Sequence, residues 1–559
     1  MLKASAIAGT AACSGCGSRV GPFSFPGAII GAARDRGHEL RGDRRLDEPV
    51  AEWHTVDVVI VGGGVAGLAS AWTLDKLGLR DFVLLELEEA LGGTSRGGRS
   101  DVSAYPWGAH YLPTPMPENI ELLRLLHEAG AIEQFDADGS AVYAEEQLCR
   151  DPEERLFYDG QWHEDLLPSD VSDRERGEWD RFRIEVDAWV AWRDPQGRRA
   201  FVLPSDRGSD DPKVAALDAI SMTEWMEQRR FHSPFVRWEI EYACRDDYGT
   251  TLDQTSAWAG LFYFASRIRN PGESPQPLLT WPEGNGRLVR FFADQLGNRA
   301  RTGMLVTAMR PAKSATSGGN GGGVDEAASL KPGSMPEGPF DGVEVVARSA
   351  ADGILRGWRA RHAIFAGPQF IARRIIENYD RERGDAVRQF TYAPWLVANL
   401  HLRDRPVEHS FPVAWDNVIR DGQGLGYVVA THQSGRDHGP TVLTYYRPLC
   451  EFTPSEGREW LESCDWNACV DVVLRDLEIA HSDLRPLIVR LDVMHWGHAM
   501  IRPVPGFRFG TARARCQERF GNIQFAHTDL SGIALFEEAF AHGCRAAREI
   551  ADQQRERVP

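Results

Sequence analysis

The chain has 559 residues, 42% of them apolar and 26% charged, with a formal net charge of −18. That length exceeds one small core and implies two domains or one large interleaved pair. The acidic balance argues against a nucleic-acid surface, which carries a basic excess, and leaves the nature of a small substrate open.

The chain opens MLKASAIAGTAACSGCGS. Ala4 to Ala12 is a short run of small apolar residues, well below the ~20 needed to span a bilayer, and resembles the tail of a bacterial export signal. Leu2-Lys3 resembles the stretch after the arginine pair of a twin-arginine signal, and Ser14-Gly15-Cys16 resembles the end of a lipoprotein box, although neither the pair nor the usual aliphatic residue at Cys13 is present. Residues 1–19 are therefore expected to be signal-like, with the true start upstream or the signal decayed. That places the protein in the periplasm or on a membrane through an N-terminal lipid anchor, and otherwise in the cytoplasm. Cys13 and Cys16 form a lone CxxC with no second pair at zinc-site spacing, so no metal site is expected. Residues 20–54, rich in Gly, Pro and Arg, read as an irregular arm.

From Val56 the pattern changes. VDVVIVGG is a continuous apolar run bounded by glycines, as in a buried parallel strand. Helical spacing follows from Val65 to Leu77, and DFVLLE (Asp81 to Glu86) reads as a second buried strand, completing a βαβ unit. At its turn, Gly62 permits the tight bend, Gly64 lets the backbone approach a pyrophosphate, and Gly67 allows close helix–strand packing. The helix N-terminus offers free N–H groups and a positive dipole to phosphate. Glu86 closes the second strand 19 residues after Gly67, where an acid accepts from ribose hydroxyls. This is a dinucleotide site, shared in kind by FAD and NAD.

Further on, PENIELLRLLHEAG reads as a helix stopped at Gly130, and RLFYDGQWHE as a hairpin around an Asp-Gly turn. Trp179, Phe182, Val186 and Trp189 form a helical stripe expected in the core, and Ser221 with Glu224 forms a capping box. Residues 313–340, including GGNGGG, cannot bury a core and are expected to be disordered between the strands MLVTAM and GVEVVARS. RHAIFAGP reads as another buried strand, and PWLVANLHL and GYVVATHQ as members of an antiparallel sheet. The chain closes on a strand, a loop and an amphipathic helix.

Gly92-Gly93, six residues after Glu86, resembles the second glycine pair of the flavin amine oxidase, phytoene desaturase and protoporphyrinogen oxidase superfamily. An arginine follows that pair directly in the superfamily; here Thr94 does, and Arg96 is the nearest substitute. YPWGAHYLP, with Gly108, Ala109 and His110, resembles the segment beside the isoalloxazine ring. WPEGNGRL (Trp281 to Leu288) resembles the region before the chain returns to the FAD domain. Val306 matches a position whose backbone meets the adenine. In FAHTDLSG, Asp529 corresponds to the acid that bonds the ribityl chain. The resemblance is firm over Thr55 to Pro113 and Gly521 to Ile550 and only architectural between them. It implies non-covalently bound FAD and an α/β fold: a glutathione-reductase-like, Rossmann-like FAD domain interleaved with an α+β substrate domain built on a mixed or antiparallel sheet. FAD-binding parts are then expected at 55–115, 281–375 and 505–559, with substrate parts at 116–280 and 376–504.

Flavin carries hydride chemistry itself, while the protein orients, excludes water and tunes charge. Only five lysines occur, Lys3, Lys76, Lys213, Lys313 and Lys331, and none stands where the lysine that holds a water near flavin N5 in many amine oxidases is expected. Pocket candidates are His498 as proton carrier and Arg502 as anion clamp; the competing reading makes them a core histidine and a structural ion pair. Trp415-Asp416-Asn417 and Thr431-His432-Gln433 are polar islands that face the pocket or make turns. The activity implied is an FAD-dependent oxidoreductase taking a hydride from a C–N or C–C bond of a small organic substrate. The alternatives are a desaturase or isomerase on a lipid-like or polyene substrate, and a non-catalytic flavin-stabilised protein.

Overall fold

A computed structural model describes residues 23–42, 49–168, 171–311 and 342–556. The signal-like start with Lys3, Cys13 and Cys16, and the insert 313–340 with Lys313 and Lys331, lie outside the described residues.

In the strand Glu52–Val61, Val58 and Ile60 are buried in one core and Val59 and Val61 in another. A strand apolar on both faces can only lie inside a sheet covered on both sides. Phe82–Leu85 and Leu355–Phe365 flank it in parallel. Ala300–Arg301 extends the sheet beyond Phe82–Leu85, and Ile523–Phe525 pairs in parallel with Ala363–Phe365. The first half of Leu355–Phe365 pairs instead with Val343–Ser349, which pairs with Met304–Pro311, both antiparallel. The central strand begins at Glu52, inside the expected arm, because Glu52 to Thr55 pair with Arg356 to Arg359. That long-range pairing leaves no local pattern. Helix Val65–Lys76 covers one face, and the closing helix Phe536–Glu556 lies against it, joined where Ser70 Oγ reaches both Ala66 O and Gly543 O.

The second sheet runs in the order Ile488–Ile501, Tyr392–Leu402, Thr441–Pro448, Gly426–Val429, Asp416–Ile419, Glu154–Tyr158, Gln161–Glu164. It is antiparallel except where Asp416–Ile419 meets Glu154–Tyr158, so it is mixed. Its terminal hairpin turns at Asp159 and Gly160, with φ of 49° and 77°, the left-handed pair an Asp-Gly turn requires. Beside it, helices Asp173–Ala191, Met222–Gln228, Pro234–Tyr248 and Ala257–Ala265 enclose Phe182, Val186, Trp189, Trp225 and Trp258. The aromatic stripe is thus core, and the Ser221–Glu224 capping box is formed. Segments of the two sheets alternate along the chain, which makes the fold an interleaved one. No described helix is long and apolar enough to cross a membrane.

Candidate active site

The site begins at the carboxyl ends of the first sheet's strands. Gly62 has φ +108°, and a Cβ there would meet Ala366 O at 2.8 Å; a Cβ on Gly67 would lie 1.9 Å from Gly62 O. Gly64 differs: a Cβ there would meet nothing within 4 Å, so the loop is open on the side a pyrophosphate approaches. The first bond of the following helix runs from Leu68 N to Gly64 O, 3.0 Å, leaving the preceding N–H groups available to an anion. The second glycine pair is clamped onto this loop, with Gly92 N–H donating to Gly63 O at 2.8 Å.

Glu86 accepts from the N–H groups of Gly63 and Glu88. Burial raises its carboxyl above the ordinary range, and each oxygen keeps a lone pair for a ribose hydroxyl. Met304 N–H donates to Glu86 O at 2.7 Å. That bond sets Val306 two residues along the adjoining strand, its side chain in the core with Val61 and Leu85. Arg96 stands 3.4 Å from Glu88 Oε2 and 5.3 Å above the Trp496 ring, reaching from the ribose end towards the second sheet. Asp529 is fully buried, and its Oδ2 accepts from Gln369 N–H at 2.7 Å and Tyr392 OH at 2.6 Å. Asp529 Oδ1 lies 3.0 Å from His527 Nδ1, but that nitrogen accepts the Asp529 N–H, and Oδ1 is buried with no hydrogen bond among the described residues. A buried acceptor of this kind calls for a partner, and a ribityl hydroxyl is one. An open phosphate loop, a ribose acid and an orphaned carboxylate oxygen together fit FAD.

Past Gly108 and Ala109 opens a cavity of about 800 Å³, its mouth included. Trp395, Tyr446 and Trp496 wall it from the second sheet, and Ala534 to Phe536 bring in the N-terminal end of the closing helix, whose dipole favours negative charge. His110 stacks on Tyr446 at 4.5 Å, with Nδ1 3.3 Å from Gly108 O. Burial pushes its pKa down to about 4, so its ring is neutral near pH 7.

Asp246, Asp247, Glu537 and Arg267 also line the cavity. Arg267 Nη2 lies 2.9 and 2.7 Å from the two oxygens of Asp247, and Tyr111 OH donates to Asp247 at 3.0 Å. Burial, then the Asp247 charge, holds the Asp246 carboxyl well above its usual range. Burial pushes Glu537 up to about 7. The cavity therefore sets three carboxyl groups against one guanidinium.

Of the two catalytic candidates, neither His498 nor Arg502 lines this cavity. Trp496, Ala499 and Met500 of the same strand do. In the register, Trp395 faces Trp496 while Ala393 faces Met500, so extra residues bulge out between them and the simple alternation of faces fails. His498 instead stacks on Phe370 at 4.3 Å, and Arg502 Nη2 donates to Gln254 Oε1 at 2.6 Å. Burial drives the His498 pKa down to about 3. Asp416 and Asn417 begin a strand, with Asn417 held by the buried Arg155, and Thr431 to Ser434 form a turn whose Gln433 amide bonds Leu148 O. Lys76 pairs with Glu128, and Lys213 lies over the Trp189 ring, both away from the cavity.

Asp246 and Asp247 carried a readable signal. They end the helix Pro234–Tyr248, where the dipole disfavours acids, and a broken local rule often marks a site. Glu537 sits in a helix first turn, where acids are ordinary, and Arg267 gains its meaning only from a partner 20 residues away.

A model of the NAD(P)-binding Rossmann-like domain matches residues 60–129. The FAD-containing monooxygenase EthA of Mycobacterium tuberculosis is 39% identical over 64 residues, 10% of this chain. The chain spans 13% of the length of that relative. Among solved structures, putrescine oxidase bound to putrescine is similar with a TM-score of 0.62 and 16% identity, over 89% of this chain and 100% of that one. Cyclohexylamine oxidase from Brevibacterium oxydans is similar with a TM-score of 0.59 and 15% identity, over 89% and 99%. The likeness establishes the fold along nearly the whole chain, including the middle where the motifs fall silent.

Proposed function

We propose that this chain is an FAD-dependent oxidoreductase that oxidises a C–N bond of a small cationic amine, with FAD held non-covalently. The observation that carries the reading is the cavity beside Gly108 and Ala109, where Asp246, Asp247 and Glu537 face a single cation, Arg267, among aromatic walls. Bound FAD supplies the hydride acceptor. Gly62, Gly64 and Gly67 admit its pyrophosphate, Glu86 its ribose and Asp529 its ribityl chain. The helix end at Ala534 to Phe536 favours the negative charge that gathers on the ring system when it is reduced.

An ammonium entering the cavity favours the ionised forms of Asp246 and Glu537, which burial and neighbouring carboxylates disfavour. The aromatic walls Trp395, Tyr446 and Trp496 keep water from that ion pair, which strengthens it. A carboxylate then takes the ammonium proton, and the freed nitrogen lone pair forms a C=N bond as hydride leaves the adjacent carbon. Water hydrolyses that imine to a carbonyl compound and an amine or ammonia. The names of the two oxidases of like fold agree with an amine. A lipid carrying a carboxylate would find the one lining guanidinium, Arg267, already bound by both oxygens of Asp247, which disfavours the desaturase and isomerase reading.

Anaerobic mixing of the FAD-loaded protein with amines, fatty acids and polyenes tests the reading. Amines should bleach the flavin absorbance; turnover of polyenes or fatty acids with no response to any amine would reject it. We also propose export through the N-terminal run, which fails if the mature chain in its native host retains Met1.

A further inference from the structure

Residues 26–30 extend the edge of strand Ile488–Ile501: Leu491 N–H donates to Pro26 O at 3.1 Å, Val493 N–H to Ala28 O at 2.9 Å, and Ile30 N–H to Val493 O at 2.6 Å. The arm then leaves that sheet. Ala33 N–H donates to Glu88 Oε1 at 2.7 Å, Arg36 lies 3.6 Å from Glu89, and Glu39–Arg41 packs on helix Gln369–Ile375. Glu88 follows the strand Phe82–Leu85, Gln369 follows Leu355–Phe365, and the Gly62–Gly67 loop follows the strand between them. Residues 33–41 therefore cross the carboxyl ends of three neighbouring parallel strands, the edge where a dinucleotide lies. Three strands span about 10 Å, and eight residues in helical turns reach about 12 Å, so the crossing is unstrained.

The crossing segment brings Arg34, Arg36 and Arg41 to that edge. Arg36 Nη1 is buried with no acceptor. Arg458 lies against Gly497, and the neighbouring His498 stacks on Phe370 of the helix on which Arg41 packs, so both guanidinium-bearing residues stand by that helix, with Glu459 and Glu462 bearing on Arg458 and Asp35 and Glu462 on His38.

We propose that residues 33–41 form a strap over bound FAD, and that Arg41 with Arg458 neutralises its pyrophosphate in place of the arginine that Thr94 replaces. This rests on the FAD reading above. Ala33 has φ −68°, which proline adopts without strain, so Ala33→Pro removes the N–H bond to Glu88 and little else. FAD release is followed by the fluorescence of free FAD after dilution, for the wild type, Ala33→Pro and the double variant Arg41→Ala/Arg458→Ala, with circular-dichroism melting of the FAD-free proteins as the check on folding. The proposal expects about ten-fold faster release in both variants, equivalent to about 1.4 kcal/mol of lost binding, with melting unchanged. Release within about two-fold of wild type in both variants, from a wild type that holds FAD, overturns the strap alone. A wild type that takes up no FAD overturns the FAD reading instead.

Discussion

Replacing Arg267 by alanine tests the electrostatics of the cavity. The Asp247 side chain is 2% exposed and that of Arg267 9%, so the variant leaves a buried carboxylate whose remaining described donor is Tyr111 OH at 3.0 Å. Breaking a buried pair by removing one partner costs about 3–5 kcal/mol. Loss of the guanidinium over the Tyr263 ring, 4.2 Å from its centroid, adds about 0.5–2 kcal/mol. Urea unfolding should show the midpoint falling with the slope unchanged. The variant Arg267→Met/Asp247→Leu, which removes both charges, should recover most of the loss, since apolar replacement of a buried pair is often neutral. A single variant that loses less than about 1 kcal/mol, or a double variant no more stable than the single one, would refute the reasoning.

Asp246→Asn should weaken binding of a cationic amine about 10- to 150-fold, the loss of one charged hydrogen bond of about 1.5–3 kcal/mol; equal affinity, read by flavin absorbance titration, contradicts an ammonium site. Gly64→Val should melt like the wild type, since a Cβ at Gly64 meets nothing within 4 Å, yet lose FAD binding. Gly67→Ala should lose stability as well, because its Cβ would lie 1.9 Å from Gly62 O. Glu537, raised from its ordinary 4.5 to about 7 by burial, is held in its protonated form by the fold. Its contribution is therefore full below pH 4.5 and is lost as pH rises through about 7. Glu537→Gln should gain stability over wild type across that window, and a difference that does not change with pH contradicts the shift.

The sequence made the nucleotide half legible because its chemistry is local. VDVVIVGGGVAG combines a strand buried on both faces with glycines whose separate constraints appear as φ +108° at Gly62, a 1.9 Å clash at Gly67 and open space at Gly64. The cavity was less legible. His498 lies off the cavity because the strand bulges between Trp496 and Met500, and no composition pattern encodes a register shift. Arg267 and Glu537 acquire their roles from residues distant in sequence. Asp246 and Asp247 did break a local rule by ending a helix with acids. The arm gave no periodicity because its bonds run to Glu88 and Val493 rather than along itself.

The most direct measurement incubates the purified chain with FAD, removes the excess by gel filtration, and precipitates the protein with acid. The account predicts a yellow protein holding one FAD per chain, with the colour passing into the supernatant on precipitation. A chain that emerges colourless from gel filtration would contradict the central claim, and colour kept in the precipitate would contradict non-covalent binding.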